Sequence, residues 1–170
     1  MNWEAVAAIS EATGVVGVIV SIIYLAHQVR QSGYATKAAT VDQITGRFID
    51  WMTTNTRTEN VKKYFREGIP ALVEATDDEV MEFYAAIQSL FKIIEEIQYH
   101  RSQGFIDDDI WIGWDNWFGN MKSYEVVAYF YKLKKDNMSP SFRDYWDNLA
   151  ENPDNSLVSI VRSLNADSSK

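Results

Sequence analysis

Cysteine is missing from this chain altogether, which excludes disulfides and thiolate metal sites. Histidine is nearly as scarce, with two residues, His27 and His100. Basic residues are outnumbered, 16 against 24 acidic ones, for a net charge of −8. That balance argues against nucleic acid as a partner and against charge-driven binding to anionic lipid. No G-x-S-x-G, Walker or dinucleotide-binding fingerprint occurs. No segment alternates with period two between turn signals, and there is no internal repeat or low-complexity linker. These absences leave an all-α chain of 170 residues with no recognisable catalytic or cofactor motif, and no cofactor or metal is predicted.

What is present is one long apolar stretch near the N-terminus, Trp3 to about Arg30. Ala5 to Ala26 is 22 residues with a single charge, Glu11. As a helix it covers ~33 Å, enough for a ~30 Å hydrocarbon core. Trp3 and Tyr24 stand near the two ends, where amphipathic rings favour the interface, and Arg30 can snorkel beyond. This pattern predicts a membrane-spanning helix over residues 1–31, continuing into or leading to a helical bundle domain over 32–170. A buried helix in a soluble bundle is the competing reading. No Lys or Arg precedes the stretch, whereas Arg30, Lys37 and Arg47 follow it. By the positive-inside rule the C-terminal domain is cytoplasmic and the N-terminus outside. A cleaved signal peptide fits poorly, because the start is acidic and Tyr24, two residues before Ala26, stands where a small residue is wanted before the cut.

At 100° per residue, Ala7, Ser10, Gly14, Gly17 and Ser21 fall within an arc of about 80°. Val15, Val16, Ile19, Ile22 and Ile23 lie on the other side. Helix association in lipid depends on close backbone approach and interhelical hydrogen bonds, and a small-residue stripe permits both. The expected partners are membrane lipid and the helices of further copies or of other membrane proteins. Glu11 borders the stripe and is read as a carboxylate near headgroup depth or bonded to a neighbouring helix. Proton transfer is disfavoured, since no second ionisable group in the stretch could relay a proton.

Beyond a possible break at Ser32-Gly33, Val41, Ile44, Phe48 and Trp51 repeat at helical spacing up to about Asn55, with Tyr34 and Ala38 extending the face. Thr56 with Glu59, and Thr76 with Glu79, read as capping boxes. A short helix is predicted over Glu59 to Glu67, ended by Gly68 with Pro70 beyond. A long central helix follows, Asp77 to Gln103, with Val80, Phe83, Ile87, Leu90, Ile94 and Ile97 on its apolar stripe. Gly104 ends it. Asp107, Asp108 and Asp109 begin a Trp-rich helix. Another runs from near Ser123 to Lys135. Ser139-Pro140 starts the next, burying Phe142, Tyr145, Trp146 and Leu149. Pro153 is a further break, and Leu157, Val158, Val161 and Leu164 support a last short helix before a frayed tail, Ala166 to Lys170.

Ser21, Tyr24, Leu25, Ala26, Gln28 and Arg30 form a Ser-x-x-Tyr-Leu-Ala-x-Gln-x-Arg sequence. Later come Phe91, Glu95, Tyr99, Gly104, Trp111, Trp114 and Ser139-Pro140 with Phe142. This pattern resembles a widespread uncharacterised bacterial family with a short N-terminal anchor and a C-terminal helical domain. The resemblance covers most of the chain and carries no known activity. It implies membrane anchoring and a helical domain. Glu96, which doubles the acidic position, and His100 lie outside the pattern.

Glu95, Glu96 and His100 are the best candidate constellation for chemistry. Glu96 and His100 share a helix face, but a di-iron bundle needs Glu-x-x-His from two helices and two more carboxylates, and His27 has no such motif. The alternative is a solvated Lys92–Glu96–His100 row, with Glu95 half-buried beside Tyr99 and hydrogen-bonded. Trp111, Trp114 and Phe118 share one face and are expected in the core. Trp111, Trp114 and Trp117 also make a candidate partner surface, since Trp and Tyr are favoured at interfaces. A third reading, a helix lying on the membrane surface, is opposed by the neighbouring aspartates. Two function classes follow. The first and favoured one is a membrane-anchored, non-enzymatic interaction subunit. The second is a membrane-tethered enzyme or small-ligand sensor with a pocket among the helices. Satisfied Glu95 and His100 in a closed core would favour the first, and an apolar cavity with converging polar groups the second.

Overall fold

A computed structural model of the chain describes residues 2–152, with the backbone alone for 5–10, 12 and 13. The break at Pro153, the helix expected around Leu157–Leu164 and the tail lie outside the described residues. Among those residues the structure is all-α, with seven α-helices and no strand. They are α1 (Trp3–Asn55), α2 (Glu59–Glu67), α3 (Ile69–Val73), α4 (Asp77–Ser102), α5 (Asp108–Lys122), α6 (Glu125–Lys134) and α7 (Pro140–Asn148). A 3-10 turn, Lys135–Asn137, joins the last two. The chain divides into two compact units between Thr40 and Val41.

The first unit is helix alone. α1 is the one helix among the described residues that is long and apolar enough to cross a membrane. Its apolar window has mean hydropathy 1.2 and is wholly uncovered. Of the two alternatives at Ser32-Gly33, a break or a continuing helix, the second holds, for α1 passes through both residues. A lone glycine costs only about 1 kcal/mol against alanine and no proline follows, so nothing there stops the helix. Thr36 and Thr40 donate their hydroxyls to the carbonyls of Ser32 and Thr36, at 2.9 and 3.0 Å.

The second unit is built around α4. Its N-terminus carries the expected capping box: Thr76 Oγ1 accepts from the Glu79 amide, and the Glu79 carboxylate accepts from the Thr76 amide at 2.8 Å. Ile87, Leu90, Ile94 and Ile97 are fully buried, with Phe83, Ala86 and Phe91 beside them. The stripe starts at Phe83 rather than Val80, which remains 36 % exposed in the first turn. α2 covers one flank, with Tyr64 and Phe65 set edge-on to Phe83 at 5.3 and 6.1 Å. α6 and α7 cover another, where Phe91 meets Phe130, Tyr131, Phe142 and Trp146. Within this unit the last turns of α1 supply Ile44 and Phe48, both buried, and Trp51, whose Nε1 donates to the Ala86 carbonyl at 2.8 Å.

One local expectation needs correction. Thr56 caps nothing ahead of it. Its hydroxyl donates back to the Met52 carbonyl at 2.8 Å, which also accepts the Thr56 amide at 2.9 Å where α1 ends. α2 begins instead after Thr58, which makes no side-chain cap. Pro70 stands just beyond Gly68, as expected. It lies in the first turn of the unexpected α3, where a missing N–H costs nothing. Gly68 joins α2 to α3 at φ +76°, a left-handed position where a side chain would also strike the Glu125 carboxylate.

α7 is held at both ends. Ser139 Oγ accepts from the Phe142 amide at its start. At its end Lys122 Nζ donates to the carbonyls of Trp146 and Leu149 at 2.7 and 2.8 Å, a cation at the negative end of a helix dipole. Tyr145 and Tyr131 donate their hydroxyls to Asp115 and Asp147 at 2.8 and 2.9 Å. Burial, and then the paired carboxylate, pushes both phenols up, so both remain protonated donors. At Gly119 the chain after α7 comes so close that a Cβ would stand 2.5 Å from the Ala150 carbonyl oxygen.

Leu90 and Ile94 have no exposed surface. Truncating either to alanine is expected to cost about 2–5 kcal/mol in urea unfolding, by lost transfer energy and the cavity left behind. Val80→Ala, on the exposed first turn, is expected to cost less than about 1 kcal/mol. Equal losses at the three positions would mean that the buried face has been misplaced.

Candidate functional site

The small-residue stripe lies on an uncovered helix. A Cβ added at Gly14 or Gly17 would meet nothing within 4 Å. Ser21 is exposed and donates its hydroxyl to the Gly17 carbonyl at 2.8 Å, so this donor is already engaged within its own helix. Ala7 and Ser10 lie outside the residues whose side chains are described. Glu11 is exposed. Val16 and Ile19, on the opposite side, are 59 % and 52 % exposed, so both sides of the helix are bare.

The candidates on α4 separate by partner. Glu95 is the best satisfied. Its Oε1 accepts from the Ser139 amide and its Oε2 from Lys92 Nζ, both at 2.7 Å. Lys92 also reaches the Asn137 carbonyl at 3.3 Å, so the pair clamps the start of α7 onto α4. The expected contact with Tyr99 is not the one made. Burial pushes the Glu95 carboxyl up, but the hydrogen bonds from Lys92 and Ser139 outweigh it and hold the group below its ordinary value. The expected Lys92–Glu96–His100 row does not form, because Lys92 turns to Glu95 and Glu96 accepts from Arg47 at 2.7 and 2.6 Å. One guanidinium nitrogen, Nη1, donates to both oxygens of that carboxylate. His100 is left with Nε2 at 4.0 Å from Glu96 and a covered Nδ1 without a hydrogen-bond partner, its ring edge-on to Phe105 at 5.6 Å. Both carboxylates are thus engaged by cations, and the three groups do not converge on a common point.

The Trp-rich helix gives a mixed outcome. Phe118 is fully buried, whereas Trp111, Trp114 and Trp117 are half-buried. Trp114 and Trp117 stand edge-on to Phe48 at 4.9 and 4.6 Å. Trp111 packs on Tyr145 at 5.5 Å with the Arg101 guanidinium over its ring. They form the layer between core and surface. Large rings at helical spacing fill an arc wider than one neighbouring helix can cover.

One feature went unforeseen. Trp51, Phe65, Trp117 and Tyr124 surround a half-open cleft of about 620 Å³. Lys62 and Arg66 line it as well, and no carboxylate does. Its walls come from α1, α2, α5 and the turn before α6, and the two halves, Trp51 to Arg66 and Trp117 to Tyr124, meet only on folding. The i, i+4 spacing of Lys62 and Arg66 was the single legible sign. No protein-family model, curated protein or solved structure matches this chain.

The Glu95 clamp has a pH signature. A carboxyl depressed in the folded state contributes stability above its unfolded value, ordinarily near 4.5, and loses it as pH falls through the folded value. Glu95→Gln is therefore expected to destabilise by the order of 1 kcal/mol near neutral pH. That deficit should shrink steadily below about pH 4.5 in parallel unfolding titrations. A pH-independent deficit would show that the ionised carboxylate is not what holds Ser139.

Proposed function

We propose that this chain is a single-pass membrane subunit. In this reading its N-terminal helix spans the bacterial inner (cytoplasmic) membrane with the N-terminus outside, and the helical domain lies in the cytoplasm. The observation that carries the reading is the bare helix. Val15, Val16, Val18, Ile19, Val20, Ile22, Ile23 and Leu25 are all more than half exposed. Such a surface far exceeds the few hundred Å² of contiguous apolar patch that soluble monomers tolerate. Lipid is the solvent that removes this penalty without demanding a partner for every residue. The flanking charges support the orientation, since the basic residues lie on the C-terminal side alone. Within the helix, open space at Gly14 and Gly17 supports close approach of a second helix, from another copy or from a larger membrane complex. The satisfied Glu95 and the dispersed carboxylates of α4 support an interaction role over catalysis there, whereas the unpartnered His100 Nδ1 and the half-open, ring-lined cleft count toward the second reading, a membrane-tethered small-ligand sensor.

Placement is tested by fractionation. The full chain is expected to sediment with membranes and to resist alkaline carbonate extraction. Recovery as a soluble, monodisperse species without detergent would return α1 to the core of a soluble assembly.

Packing is tested by substitution. Gly14→Leu or Gly17→Leu is expected to separate neighbouring helices and weaken assembly while leaving insertion intact, because leucine itself favours the bilayer. Val16→Leu and Ile19→Leu are the controls and should change little. Crosslinking or single-molecule photobleaching of the full chain in native-like bilayers gives the copy number. Equal assembly for all four variants would reduce the helix to a tether.

A further inference from the structure

We infer that the cleft between Trp51, Phe65, Trp117 and Tyr124 is a binding site for a small, flat aromatic acid, its ring held among the four side chains and its carboxylate at Lys62 and Arg66. The inference stands apart from the membrane reading, because every residue it uses belongs to the helical domain. At about 620 Å³ the cleft lies within the 300–1,000 Å³ range of small-molecule sites. It also has the usual composition of such a site, apolar walls with a few polar groups converging on one side.

The walls are fixed before any ligand arrives. The Trp51 indole is tied to the Ala86 carbonyl at 2.8 Å. Trp117 is set edge-on to Phe48 at 4.6 Å, and Tyr124 edge-on to Phe65 at 5.2 Å. A site whose rings are already held loses little freedom on binding. Four aromatic side chains favour a flat ring over a flexible chain, since offset and edge-on ring pairs add to simple burial.

Charge selects the other end of the ligand. The chain as a whole carries −8, yet both charged residues lining the cleft are cations. Lys62 and Arg66 are one turn apart on α2 and so point the same way. Each is paired in the free protein, Lys62 with Glu59 at 2.5 Å and Arg66 with Glu67 at 2.7 Å. These are solvent-facing pairs within one helix, held weakly in competition with water. A carboxylate inside the cleft offers a drier partner, and the guanidinium can meet it with two donors.

The test uses the full chain in lipid nanodiscs, with empty nanodiscs as the blank. Isothermal titration with 2-naphthoate is expected to show saturable binding at one site. The neutral analogue 2-naphthalenemethanol and the aliphatic acid decanoate should each bind at least about tenfold more weakly, about the loss of one charge-assisted bond or of the ring contacts. The double variant Lys62→Met/Arg66→Met, changed on the protein surface, should weaken naphthoate by about the same factor. Met121→Trp, which adds bulk to the lining of the cleft, should abolish binding. Absence of saturable naphthoate binding overturns the inference. Equal binding of the alcohol overturns the role of the cations, and equal binding of decanoate overturns the aromatic class. These last two arms use the unaltered protein, so they hold even if a variant fails to fold.

Discussion

Leu90 leaves water only because three groups of helices close over α4 at once, and the rest of the domain follows from that requirement. A stripe that includes Phe83, Ile87, Leu90, Phe91, Ile94 and Ile97 is too wide for one neighbour. α2 takes the Phe83 end, α6 and α7 take Phe91, and the last turns of α1 bring Ile44, Phe48 and Trp51. Aromatic rings do most of the joining. Their size lets short helices of nine or ten residues reach one another across wide gaps, and their edge-on contacts fix the angles.

Polar groups then set the register that apolar packing leaves loose. Arg47 to Glu96 and Trp51 to the Ala86 carbonyl fix the end of α1 along α4. Glu95 to Ser139 fixes the start of α7, and Lys122 fixes its end. The ion pair is half-exposed and adds little stability by itself. Its value is directional, since a nitrogen held between both carboxylate oxygens tolerates only a small slide of one helix past the other.

Period and caps were the legible part of this chain. The 3-4 spacing from Phe83 to Ile97 located the core helix, and Thr76, Gly104 and Ser139-Pro140 marked real helix ends. What could not be read was choice among equally plausible local partners. Thr56 had Glu59 ahead and the carbonyl of Met52 behind, and only the end of α1 decides between them. Lys92 had Glu95 and Glu96 within reach, and the position of Arg47, 49 residues from Glu96, settled the matter. The cleft was invisible for the same reason, since its walls meet only after four elements have packed. Of the candidate site residues, Glu95 was legible as a hydrogen-bonded carboxylate, though its partner was not. Phe91, Glu95, Ser139 and Phe142 meet where α7 docks on α4.

The bare N-terminal helix is the central claim, and its environment can be measured residue by residue. Nitroxide labels placed singly from Gly14 to Tyr34, with the full chain in bilayers, report collisions with oxygen and with a water-soluble nickel complex. The account predicts high oxygen and low nickel accessibility from Gly14 to about Ala26, with oxygen minima recurring at Gly14, Gly17 and Ser21 and nickel rising beyond Arg30. High nickel accessibility throughout, with no helical periodicity in oxygen, would contradict both the span and its packing face.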